Sequence, residues 1–274
     1  MAAARPEADS TLVSAAIGCA WAALLWLALL ALRPRPRIAQ PQISIAARLR
    51  WLLSGALLFG GPAIALLVPV RDLDAGGLTI ALALTPVVIA IASSALGTES
   101  SEGIAGRIWP GLAAVAGLLL VLTQPNLGDV RTDLALLSAP LLTGVGAVLF
   151  CTAQPHSASR NTTALLGACA LFTFALAASR FAASVHPSFS LLAIACDGII
   201  ALLSILSLAQ LGATRWSSQF TWVPLLIIFE GIALIRPTLT THWFTGLILL
   251  LIAGVYLLLP QGDDAATKTS PVPN

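Results

Sequence analysis

The sequence predicts an all-α polytopic membrane protein of about nine transmembrane helices arranged as two inverted structural repeats, and three observations carry that class. Of 274 residues, 58% are apolar and only 9% are Asp, Glu, Lys or Arg. Soluble domains carry about 25% charged residues, so polar surface here is too scarce for a soluble globule. Apolar runs of about 17 to 25 residues recur along the chain. That is the length a helix needs to cross the hydrocarbon, where every backbone group must bond within its own segment. Finally, landmark glycines and prolines recur at about half the chain length, the mark of a duplication.

The runs are Leu12–Leu32, Trp51–Val70, Leu78–Leu96, Ile108–Thr123, Leu134–Ala153, Thr163–Ala183, Phe189–Leu208, Phe220–Ile235 and Trp243–Leu259. The first ends in Arg33-Pro-Arg-Pro-Arg37, a stop-transfer flank, and is too long for a signal-peptide core, so it is expected to stay in the mature chain. The third and fourth are closed by the breaks GTESSEG and TQPNLGD, and the eighth and ninth by RPTLTTH and PQGDD. Placing the N-terminus outside puts Arg33, Arg35, Arg37, Arg48, Arg50, Arg107, Arg160, Arg215 and Lys268 inside. Arg5, Arg71, Arg131, Arg180 and Arg236 then lie outside. The inside excess predicts an N-out, C-in protein of the cell's inner membrane.

The duplication rests on Gly61 with Gly198, Pro86 with Pro224 and Gly117 with Gly254, at offsets of about 137 residues. The run starting at Trp51 then matches the one starting at Phe189, five spans later, and an odd number of spans inverts one copy relative to the other. The expected organisation is a four-helix first repeat over 1–130, a five-helix second repeat over 131–260 and a polar tail over 261–274. The counterpart of Leu134–Ala153 would begin before Met1, either because the chain lacks that helix or because its native start lies further upstream.

Two acidic residues fall inside spans. Asp197 is about 12 Å below the outer boundary at 1.5 Å per residue, and an Asp there costs about 2.5 to 3.5 kcal/mol on an insertion scale, so it should face protein or water. Ser190, Ala193, Asp197, Ala201 and Ser204 fall at helical spacing, and Asp197-Gly198 answers Gly61-Pro62 in the first copy, so a locally opened backbone lining a cavity is expected at both. The alternative is an Asp tied to neighbouring hydroxyls to lock helix packing. Glu230 lies about 7 to 8 Å deep and shares a face with Gln219, Val223 and Ile227. It could form a second wall of the cavity, or reach the interface or Arg236. In the first copy, Thr79, Ala83, Pro86, Ala90 and Ser93 make a comparable narrow stripe. The substrate- and proton-binding candidates are therefore Asp197, Glu230, Ser190, Ser204, Gly198, Gln219 and Pro86.

Other features carry less. The basic residues form no run beyond Arg33–Arg37, which argues against nucleic acid. Cys19, Cys151, Cys169 and Cys196 lack CxxC spacing and read as small hydrophobes in packed helices, while His156, His186 and His242 sit apart in loops; no metal or cofactor is indicated. Trp51, Trp109, Trp216, Trp222 and Trp243 lie near span ends, as an interfacial belt would. Asn161-Thr-Thr163 matches a glycosylation sequon by chance, on the inside. Asp129-Val-Arg-Thr-Asp133 imitates the DxxxD of membrane prenyltransferases but stands alone.

Thr85-Pro-Val-Val-Ile-Ala-Ile-Ala-Ser-Ser-Ala-Leu-Gly-Thr-Glu99 with the Gly-spaced helix after it, and Leu206–Leu225 with its Pro-led helix, resemble the corresponding segments of the drug/metabolite transporter superfamily of EamA type. The likeness covers roughly Trp51 to Leu259. It departs in having nine rather than ten helices, and in placing Arg236-Pro237 where the turn Glu of the second repeat is expected. The resemblance implies a non-enzymatic carrier of a small molecule, a metabolite, amino acid or drug, working by alternating access with proton or gradient coupling. Its partners would be that substrate and the lipid bilayer, with a homo-oligomer left open. The alternatives are a membrane-embedded transferase using Asp129 and Asp133, and a lipid-linked substrate flippase or accessory subunit.

Overall fold

The computed structural model describes residues 5–32, 43–67, 75–97, 104–122, 130–152, 158–180, 190–235 and 240–259. The described residues are almost wholly helical, without strands. Eleven helices follow in order: α1 Arg5–Leu32, α2 Ile45–Leu58, α3 Gly60–Leu67, α4 Ala75–Leu82, α5 Thr85–Ala95, α6 Ile104–Val121, α7 Val130–Cys151, α8 Ala158–Arg180, α9 Leu191–Trp216, α10 Gln219–Ile235 and α11 Thr241–Leu258. Among the described residues, six helical stretches are long and apolar enough to cross a membrane: 11–32, 77–95, 133–151, 159–178, 191–216 and 241–258. The chain is thus an integral membrane protein by length and composition. Ile108–Val121 and Gln219–Leu234 are shorter apolar helices.

The breaks have local causes. α2 starts at Ser44, whose Oγ accepts the Ala47 N–H at 3.2 Å, and stops at Phe59. Pro62, in the first turn of α3, has no N–H to offer the Leu58 carbonyl, so the second expected span is two helices rather than one. In the third, Pro86 denies a donor to Leu82, and the chain turns at Ala83–Leu84, closed by Leu84 N–H to Ala81 O at 2.9 Å. α9 contains Gly212 at φ 77°, ψ 167°, a conformation open to glycine and strained for any other residue.

Packing joins distant parts of the chain. α1 lies against α8 and α9, α2 against α8 and α7, α5 against α6 and α7, and α11 against α6 and α10. One core, with Leu12, Cys19, Leu58, Ile89, Phe150, Leu165 and Ile205, draws on α1, α2, α5, α7, α8 and α9. A second, with Ala83, Leu118, Leu225 and Leu250, joins α4, α6, α10 and α11. With lipid outside, close backbone approach rather than water exclusion drives such contacts, and small residues permit it. A Cβ on Gly55 would stand 1.9 Å from the Ala164 carbonyl oxygen, and one on Gly167 2.0 Å from that of Leu52, so the α2–α8 crossing exists only with glycine on both sides.

The tryptophan belt needs correction. Trp51 and Trp216 are buried: Trp51 shares the inward face of α2 with Ser54, Gly55 and Leu58, and Trp216 stacks edge-on to Phe220 at 5.3 Å between ring centroids. Trp109 is exposed, and Trp222 and Trp243 are half-buried.

Candidate functional site

Asp197 turns inward, toward α1. The Ser14 hydroxyl, itself buried, donates to Asp197 Oδ2. The approach is close because two glycines face each other one turn away: a Cβ on Gly18 would lie 2.8 Å from Gly198 N and 2.9 Å from Asp197 Cβ. The carboxylate is therefore held at a glycine-lined α1–α9 crossing, half-buried. Along the same stripe Ala201 is buried, Ser204 is half-buried, and Ser190 stands exposed at the N-cap of α9 without a side-chain capping bond. The expected opening of the backbone at Gly198 is absent. The helix is regular there and breaks at Gly212 instead, whereas Gly61-Pro62 does sit beside a break, at Phe59.

Glu230 belongs to a different surface. It is exposed on α10 beside Val223, Leu226, Ile227 and Phe229, while α10 packs chiefly against α11 and α4. Gln219 opens α10 and is half-buried. Asp197 is thus engaged with α1 while Glu230 lies on the open side of α10, and no extended α9–α10 contact brings the two together. Pro86 is buried against α6, its Cβ 3.5 Å from where a Cβ on Gly111 would be.

The structure adds polar groups that the search for carboxylates passed over. Thr85, Thr143 and Thr221 are buried, and each Oγ1 lacks a hydrogen-bond partner. Each lies within three residues of a proline, Pro86, Pro140 and Pro224, which leaves the carbonyls of Leu82, Leu136 and Phe220 without their helical N–H. Thr143 Oγ1 stands 2.8 Å from the Cβ position of Gly61, in the first turn of α3. Thr85 and Thr143 lie on helices packed directly against each other, α5 and α7, whereas Thr221 lies on α10, which reaches this part of the bundle only through α4. Buried hydroxyls and freed carbonyls without formal charge can hydrogen-bond a polar ligand or coordinate a cation through oxygen, and an unpaired buried hydroxyl is costly unless something uses it. A hydroxyl close to a proline inside an apolar run was the available sequence signal.

Arg160, counted among the inside charges, is buried at the start of α8 with its guanidinium carbon 4.3 Å from the Phe150 ring centroid, a cation–π contact. Asn161 beside it is buried, and Thr163 Oγ1 donates to Ser159 O at 2.8 Å, so the sequon is built into the helix. All four cysteines are free; Cys19 is buried, whereas Cys196 is exposed rather than packed. Among the described residues, no three His, Cys, Asp or Glu side chains cluster as metal ligands would. Asp133 is half-buried in the first turn of α7; Asp129, His156, His186 and Arg236 lie outside the described residues. No known protein-family model matches this chain, and no characterised protein matches it in sequence.

Proposed function

We propose that the chain is a polytopic carrier of the drug/metabolite transporter kind, two inverted repeats alternating access to a small polar substrate, with proton or gradient coupling and an N-out, C-in orientation in the inner membrane. The observation that carries this reading is the order of helix pairing. Let α1 correspond to α8, α2–α3 to α9, α4–α5 to α10 and α6 to α11. The contact of α2 with α8 then answers that of α1 with α9, α5 with α6 answers α10 with α11, and α1–α8 and α6–α11 answer themselves. Two interlocked copies related by an axis in the membrane plane would pack in that way.

The prolines support the same reading. α4–α5 breaks at Ala83–Leu84, before Pro86, with Thr85 buried just beyond, and its counterpart α10 carries Pro224 at the matched position inside a continuous helix, with Thr221 buried one turn before it. Prolines that free helical carbonyls inside a bundle are where inverted-repeat carriers build substrate and ion sites. The test is uptake by liposomes holding the purified protein, screened with amino acids, nucleobases, nucleotide sugars and cationic drugs. One class is expected to accumulate under an imposed gradient, and Thr85→Val and Thr143→Val are expected to abolish that uptake while the protein still melts cooperatively. Uptake of every class equal to that of empty liposomes would end the carrier reading.

A further inference from the structure

We propose that the α2–α3 break, with the Thr143 hydroxyl facing it from α7, is a sodium site, and that sodium is the ion whose gradient drives uptake. The second half rests on the carrier reading above; the first stands on the break alone.

Three observations converge there. The interrupted span runs along α7: a Cβ on Gly146 would lie 2.4 Å from Leu58 N, and one on Gly61 2.8 Å from both Ala139 O and Thr143 Oγ1. Residues 58–61, the interruption itself, therefore lie against the stretch of α7 from 139 to 146, and Thr143 falls within it. Thr143 is 2% exposed, and its Oγ1 has no hydrogen-bond partner, not even the Ala139 carbonyl one turn back, although Thr163 on α8 donates to its own Ser159 carbonyl in that way. The backbone beside it is rich in acceptors. Pro62 offers no N–H to the carbonyl of Leu58, a residue 3% exposed, and α2 ends at Phe59 with the negative end of its dipole at the break.

Buried oxygens gathered at the C-terminal end of a half-helix are the donor set with which interrupted membrane helices hold sodium. The chemistry also selects the ion. α2 and α3 carry no acidic residue, and Asp133, the acidic residue of α7, lies about 15 Å along the helix from Thr143. A divalent cation held by protein calls for carboxylates, so neutral oxygens and one helix end suit a single charge. Neither a hydroxyl nor a carbonyl titrates near neutral pH, which sets the proton aside. Gly61 and Gly146 bring the two backbones so close that the smaller monovalent ion, sodium, is favoured over potassium.

The test is thermal melting of the purified full chain in detergent, titrated with sodium chloride at constant ionic strength against potassium chloride and choline chloride. Sodium is expected to raise the melting temperature saturably, by about 4 to 8 °C at about thirty times its dissociation constant, and potassium much less. Thr143→Val should lose the sodium shift and Thr143→Ser keep it. Pro62→Ala, which returns a donor to the Leu58 carbonyl, should weaken it, whereas Thr221→Val, which removes a buried and unpartnered hydroxyl from another helix, should leave it intact. Equal shifts with sodium and potassium, loss of the shift in Thr221→Val, or a sodium shift that survives in both Thr143→Val and Pro62→Ala would overturn the site and leave the hydroxyl to a buried water. Coupling is read in liposomes, where uptake should fall to the level of empty vesicles when choline replaces sodium; equal uptake in the two salts would overturn the driving role. The melts need no substrate, so a chain that shifts with sodium yet takes up nothing keeps the site and fails as a carrier.

Discussion

Asp197 and Ser14 show how one hydrogen bond disciplines a charge inside an apolar helix. The carboxylate accepts from a buried hydroxyl, and Gly18 and Gly198 let the two backbones come close enough for it. Hydrogen bonds between membrane helices are worth about 0.6 to 2 kcal/mol, so Ser14→Ala should lower stability by about 1 kcal/mol, read as a fall in detergent melting temperature. Asp197→Asn still presents an oxygen to Ser14 and is expected to express and melt like the parent while its uptake is lost. Full uptake by that variant would leave Asp197 a packing element. The buried threonines give the complementary case. Valine has the shape of threonine without the unpaired hydroxyl, so Thr85→Val and Thr143→Val should be neutral or slightly stabilising, within about 1 kcal/mol, even as transport is lost. A large drop in melting temperature would show that the hydroxyls hold the fold.

Among the elements, the interrupted helices decide most. Gly212 has open space around its Cβ position, so its substitution meets no clash, and the whole cost lies in a backbone region suited to glycine alone. Gly212→Ala should therefore destabilise by about 1 to 3 kcal/mol in thermal melts. Pro86→Ala runs the other way. Restoring the N–H lets Leu82 regain its partner and the α4–α5 turn close into a continuous helix. Slower amide exchange across 82–87, unchanged or higher stability and reduced uptake are expected, because an interruption kept for function is given up for regularity. Unchanged uptake with slowed exchange would show that the break is dispensable.

Over the whole molecule, the α6–α11 crossing ties the chain's fourth apolar run to its last. A Cβ on Gly117 would stand 2.8 Å from Gly246 O, and one on Gly246 2.6 Å from Gly117 O, so either side tolerates nothing larger. Gly117→Leu should separate the pair and cost several kcal/mol, seen as loss of monodisperse protein in detergent, whereas Leu119→Ala on the exposed side of α6 should change melting by less than about 1 kcal/mol. The orientation is a second molecule-wide expectation. A C-terminal reporter active only in the cytoplasm should be active, and activity of an export-dependent one would reverse the topology.

Composition and run length together determined the helical membrane class, because a backbone in lipid is satisfied only in helices or closed barrels, and continuous apolar runs of about 17 to 25 residues fit helices rather than the short alternating strands of a barrel. The local grammar was legible in part: the sequence predicts an opened backbone at Gly61-Pro62, and one lies beside it, whereas it places Pro86 inside one continuous span although the chain turns just before it, and a proline's missing N–H acts within one turn in both places. What each face meets was not legible. In a soluble protein hydropathy marks the buried side, but lipid is as apolar as a packed helix, so Trp51 and Trp216 read as interfacial although they are buried, and the exposed face of α10 looks like any other. Asp197 and Ser14 are 183 positions apart, and only the crossing of α1 with α9 makes them partners. Separation along the chain carries no information about such a crossing; that was decided in three dimensions, by which glycine-lined surfaces could approach most closely.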